Sequence, residues 1–114
     1  MPIPNDIRAR AEAQLAEFCK QHSAGPGNER PEYTYTVEAN AVVLVEQRPG
    51  FLNANDRTAR PIARFRYSEA RDTWTVYWRD SANKWERVTN VPANKDIGVL
   101  LQVVVTDPTG VFWS

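Results

Sequence analysis

Chemistry needs side chains that ionise, coordinate or attack, and this chain offers few in a suggestive pattern. The tripeptide Glu46-Gln47-Arg48, at the end of an apolar run, faintly echoes the E-x-K of metal-dependent nucleases. Such sites hold Mg²⁺ between two or more carboxylates, with a basic residue near the attacked phosphate. Glu38 is the second carboxylate if the segments carrying it and Glu46 form a hairpin. The tripeptide is common by chance, and an ion pair of Glu46 with Arg48 or another arginine is the simpler account. With one cysteine, Cys19, and one histidine, His22, neither an intrachain disulfide nor a Cys/His metal cluster can be assembled. Nothing near Cys19 supplies the electropositive setting of a reactive thiolate, so it reads as a small buried hydrophobe. No G-x-G-x-x-G, Walker, H-E-x-x-H or G-x-S-x-G pattern is present. No metal or cofactor is expected.

A second set of residues suits binding better than catalysis. Arg64, Arg66, Tyr77, Arg79 and Lys84 fall in alternating segments where every other side chain shares a face. Guanidinium groups meet phosphates bidentately and a tyrosine can stack on a base, so this face is a candidate nucleic-acid surface. Acidic and basic residues balance at fourteen each, which argues against tight non-specific binding. Locally the balance shifts, with nine basic residues against five acidic ones between Arg48 and Arg87. A solvated face cross-linked by Glu86 and other acids is the bland alternative.

Those residues need elements to hold them. Pro61 to Val88 alternates apolar and polar residues in three runs separated by polar turns, the pattern of an antiparallel meander. One face collects Ala63, Phe65, Tyr67, Trp74, Val76 and Trp78, with Trp85 the expected contribution of the third run. Glu86 and Lys84 then fall beside the arginines. Upstream, Asn5 caps a helix whose stripe is Ile7, Ala11, Leu15, Phe18 and His22, and Gly25, Pro26 and Gly27 end it. Tyr33 to Val37 and Val42 to Gln47 form a hairpin around Ala39-Asn40, the second strand apolar on both faces and so central. Residues 48–60 read as a long loop carrying Phe51, which either caps the second strand or binds a ligand. A last helix starts at Asn94 or Lys95, with Asp96 in its first turn and a stripe of Ile97, Leu100, Leu101 and Val104. Val111, Phe112 and Trp113 form an aromatic tail that must dock on its own sheet or on a second copy. The expectation is therefore one α+β domain over residues 1–114: an N-terminal helix, an antiparallel sheet of about five strands made of a hairpin and a three-strand meander, and a C-terminal helix.

The order of Phe18-Cys19, EQRPGF (46–51), PIARFRY (61–67), WTVYW (74–78) and Lys84-Trp85, closing on a helix with an aromatic tail, resembles a family of small bacterial proteins, domain of unknown function 3024. Phe51 and Arg64 stand where that family's pattern suggests tryptophan and lysine. The resemblance implies a stand-alone bacterial cytosolic domain with no assigned activity, and no functional residue is carried over. The N-terminus lacks an apolar signal region and no run is long enough to span a bilayer, so a cytoplasmic protein without a membrane partner is expected. The leading functional expectation is a non-catalytic protein-interaction or assembly module, pairing with another protein or a second copy through the tail or a sheet edge. Nucleic-acid binding on the Arg/Tyr face is the alternative, and a degenerate nuclease-like site a distant third.

Overall fold

A computed structural model describes residues 3–22, 32–49, 57–88, 91–107 and 110–112. Helix α1 (Asn5–His22) is followed by strands β1 (Glu32–Glu38), β2 (Ala41–Pro49), β3 (Arg57–Ser68), β4 (Thr73–Arg79) and β5 (Trp85–Arg87), then helix α2 (Ile97–Thr106). The strands form one antiparallel sheet in sequence order, so the expected hairpin and meander are one continuous five-strand meander. Phe51 lies outside the described residues. The loop expected over 48–60 is shorter than anticipated, because β2 runs on to Pro49 and β3 already begins at Arg57.

Both helices pack on one face of the sheet. From α1 come Ala11, Leu15 and Phe18, and from α2 come Ile97, Leu100, Leu101 and Val104; the strands supply Val42, Leu44, Phe65, Tyr67, Trp74 and Val76. These form a single buried cluster, and removal of this apolar surface from water is the main force holding the layers together. His22, at the end of the stripe, is exposed and lies over Phe18 with ring centroids 4.4 Å apart. Ile3, ahead of the helix, is also buried, and its N–H donates to the Ala39 carbonyl at the β1–β2 turn.

The register shifts once. Leu44 faces Ala63 but Val45 faces Pro61, so Ile62 is an extra residue in β3, a bulge of the kind that bends a strand. Ile62 and Ala63 are both buried there, at 2% and 0% exposure. β2 is flanked by β1 and β3, as its apolar composition suggests.

α2 begins later than expected. Asp96 is the N-cap, outside the first turn, and its Oδ1 accepts from the Gly98 N–H at 2.8 Å and from Gln14 Nε2 at 3.0 Å. One carboxylate thus caps α2 and ties it to α1. At the other end Asp107 adopts a left-handed conformation as C-cap, with φ 44°. Its Oδ1 accepts from the backbone N–H groups of Val111 and Phe112, at 3.0 and 3.2 Å. That turn sends the tail back onto its own chain, where Phe112 enters the core at 2% exposure and Val111 packs against it. Of the expected interaction tail, Phe112 is therefore core and Val111 partly buried, while Trp113 lies outside the described residues. No described helix is long and apolar enough to cross a membrane.

Candidate functional site

Residues directly opposite in an antiparallel ladder share a face, so the register locates every strand side chain. One row crosses all five strands on the face away from the helices: Thr36, Val43, Arg64, Tyr77 and Arg87. Tyr77 thus stands between two arginines. A neighbouring row holds Glu38, Ala41, Arg66 and Thr75, and beyond Tyr77 on β4 comes Arg79, opposite Trp85. No described helix covers this face.

The structure therefore brings Arg64, Arg66, Tyr77 and Arg79 together as their alternation predicts. It corrects the third strand. Trp85 does not join the core: it sits opposite Arg79 on the open face, half-buried and outside the core cluster, whereas Glu86 falls opposite Trp78. The cause lies in the β4–β5 loop. Asp80 Oδ1 accepts from the N–H groups of Ala82 and Lys84, at 2.8 and 3.0 Å, and the Asp80 N–H donates to the Lys84 carbonyl at 2.9 Å. Asn83 takes the left-handed conformation that lets the loop close, with φ 62°. The loop absorbs Asp80 to Lys84, so pairing resumes with Arg79 facing Trp85 and the parity of β5 is set. The hydrogen bond from Lys84 is also the leading reason that the Asp80 carboxyl is held below its usual range. Lys84 itself is an exposed loop residue and does not stand on the strand face.

Arg87 is the residue that sequence reasoning missed. Two residues beyond Trp85, it could be found only once Trp85 was placed on the open face. The other side chains there are Thr73, Thr75 and Ser68, all partly exposed. Across β3, β4 and β5 this face carries Arg64, Arg66, Arg79 and Arg87 and no strand carboxylate, while β1 contributes Glu32 and Glu38 on the same side. A chain of zero net charge thus gathers its arginines on β3 to β5 of one surface, with the acids of β1 at its border.

Two of the guanidinium groups are held close to the sheet. Arg64 Nε and Arg79 Nε are buried and have no acceptor among the described residues. Arg64 Nη2 reaches Glu38 Oε2 only at 4.0 Å, and Glu38 is more than half exposed, so this pair contributes little. Beside Arg64 in register lies Val43, at 4% exposure, which gives the arginine an apolar floor. The exposed remainder of Arg64, 29% of its side chain, is what an acidic oxygen from outside can meet.

At the β3–β4 turn the open face deepens into a groove of about 640 Å³, lined by Arg66, Ser68, Glu69, Arg71, Tyr77 and Arg87 among others. Its wall is anchored from behind. Tyr67 Oη donates to Asp72 Oδ1 at 2.5 Å, and Asp72 holds a left-handed conformation that turns the chain, with φ 51°. This hydrogen bond and then burial push the Tyr67 phenol up to about 12.

The carboxylates of the nuclease-like reading do not converge. Glu46 shares the helix face with Tyr33 and Leu44, is 1% exposed, and accepts from Tyr33 Oη at 3.4 Å. Glu38 pairs with Ala41 on the opposite face, five residues along β2 from Glu46. At about 3.4 Å per residue the two lie roughly 17 Å apart along the strand, with the sheet between them. Among the described residues no group of three His, Cys, Asp or Glu could hold a metal ion. Cys19 is half-buried, and burial pushes its thiol up to about 11, far from a thiolate at neutral pH.

Neither the curated proteins nor the solved structures contain a match to the chain. One family model does match, covering residues 3–114 and so holding both helices, all five strands and the open face. The chain belongs to the family described as Domain of unknown function (DUF3024).

Proposed function

We propose that this protein binds single-stranded nucleic acid, without catalysis, on the open face of β3, β4 and β5. The observation that carries the reading is the register row in which Arg64 and Arg87 flank Tyr77. A base stacked on the phenol puts its neighbouring phosphates within reach of guanidinium groups on either side, and stacking tolerates any base. Trp85, two strands from Arg64 and beside Arg79, offers a second ring. Zero net charge fits a weak, local interaction whose affinity comes from a few phosphates plus stacking.

The test is anisotropy of a labelled single-stranded oligonucleotide at low salt, comparing wild type with Tyr77→Ala. Loss of one stacking partner is worth about 1 to 3 kcal/mol, an affinity drop of about 5- to 150-fold. Affinity unchanged in the variant would remove the stacking platform, and equal affinity for duplex would remove the single-strand preference. Assembly with another chain is the second reading. It is favoured by β1, whose outer edge has no strand beside it among the described residues. A sedimentation mass equal to the monomer at high concentration would count against it.

A further inference from the structure

We infer that the groove at the β3–β4 turn is a site for a terminal phosphate monoester, so that the open face receives the end of a nucleic-acid strand in preference to its middle. This rests on the nucleic-acid reading above and adds the part of the ligand that the groove selects.

Three arginines line the groove. Arg66 and Arg87 come from the strand face and Arg71 from the turn, and among the described residues lining the groove Glu69 is the one carboxylate. Arg66, Arg71 and Arg87 are all exposed, so each is free to reach an anion lying in the groove. Hydroxyl donors surround them. Ser68 faces Thr73 and Arg66 faces Thr75 in register, and all four line the groove together with Tyr77. A phosphodiester inside a strand carries one negative charge, whereas a terminal monoester carries about 1.5 to 2 at neutral pH and presents three acceptor oxygens. Three forked cations with several hydroxyls suit the second ligand better.

Geometry adds a direction. Tyr77 belongs both to the groove lining and to the row between Arg64 and Arg87. A base stacked on Tyr77 therefore lies beside the groove, whose lining runs on to Ser68, Glu69, Arg71 and Thr73 at the β3–β4 turn, where both strands end. The hydrogen bond from Tyr67 to Asp72 fixes that turn from the core side. A nucleic-acid strand that ends at this turn leaves its phosphate among Arg66, Arg71 and Arg87, whereas one that continues past it leaves the sheet's open face and its arginines behind. Glu69, also in the lining, opposes the anion.

The experiment compares oligonucleotides of one sequence with a 5′-phosphate, a 3′-phosphate or hydroxyl ends, alongside a nucleoside and its 5′-monophosphate. Phosphorylation at one end is expected to tighten binding at least tenfold, and the monophosphate to bind where the nucleoside does not. Arg71→Ala with Arg87→Ala should abolish the end preference, and Glu69→Gln should strengthen it. Circular dichroism checks that these exposed substitutions leave the fold intact. Equal affinity for all three oligonucleotides, or a monophosphate no tighter than its nucleoside, overturns the inference. Failure of every oligonucleotide while the monophosphate still binds through Arg71 and Arg87 refutes the open-face reading and leaves the groove standing. Binding of hydroxyl-ended strands with no end preference does the reverse.

Discussion

Salt dependence gives the most direct quantitative check on the open face. Four arginines, at positions 64, 66, 79 and 87, stand on the open face of β3, β4 and β5, with Glu38 of β1 beside Arg64 as their nearest strand acid. If each neutralises one phosphate of a single strand, log K falls with log salt at a slope of about −0.7 per contact, or about −2.8 in all. Between about 50 and about 200 mM salt the affinity then drops about 50-fold. Arg64→Ala with Arg66→Ala halves the number of contacts, so the slope falls to about −1.4 and the drop over the same interval to about 7-fold. Anisotropy titrations of a labelled oligothymidine at four salt concentrations measure both slopes, with urea midpoints confirming that the variant is folded. Arg66 is exposed and Arg64 lies outside the core cluster, so little stability is at stake. A double variant with the wild-type slope refutes the reasoning, because the phosphate contacts must then lie elsewhere.

Three further expectations follow from packing and linkage. Trp74→Ala, at 2% exposure in the core, should cost about 3 to 5 kcal/mol in urea unfolding, whereas Trp85→Ala on the open face should cost about 1 or less; equal losses would mean that the face of β5 is misassigned. Phe112→Ala should also cost about 3 to 5 kcal/mol while leaving the sedimentation mass unchanged, and a stable variant of altered mass would make the tail an interface. Tyr67, with its folded value raised from 10.0 to about 12, binds its proton more tightly folded than unfolded, so its contribution is complete below pH 10.0 and disappears as pH rises towards 12. Tyr67→Phe should flatten the stability curve in that window, and an unchanged curve would show that Tyr67 is not the group responsible.

How much of this was legible depends on what each residue's placement requires. Phe65, Trp74 and Val76 announce their face by simple alternation, and Ala11, Leu15 and Phe18 announce theirs by helical spacing; burial follows the pattern in both cases. Trp85 could not be placed that way. Its face depends on how many residues the β4–β5 loop consumes, which is decided by the hydrogen bonds of one side chain, Asp80, and the left-handed turn at Asn83. A change of one residue there inverts every side chain on β5, and a large indole is more naturally assigned to the core than to an open surface. Arg87 was missed for the same reason, since its place in the site follows from that of Trp85. The tail was legible as something that must dock but not as to where, because the Asp107 turn that folds it inward involves donors four and five residues further on. Glu46 looked like a strand-end acid because its burial depends on two layers, β1 with Tyr33 on one side and the helix face above.

The division of labour between the two faces also bounds the size of any ligand. The helix face is spent on stability, since α1 and α2 both pack there and the large buried residues belong to it. On the other face Glu32 and Glu38 of β1 would repel phosphate, so a nucleic-acid strand bound as proposed would keep to β3 through β5. Neighbouring strands lie about 4.8 Å apart, so that area is about 10 Å across, and β4, with seven residues, is about 23 Å long. Such a patch holds a few nucleotides, near the lower limit of about 4 per module for single-strand binders. A site so short gains little from sliding along a polymer and much from a feature found once per strand. On the proposed reading, a patch this small would favour recognition of a strand's end over coating of its length.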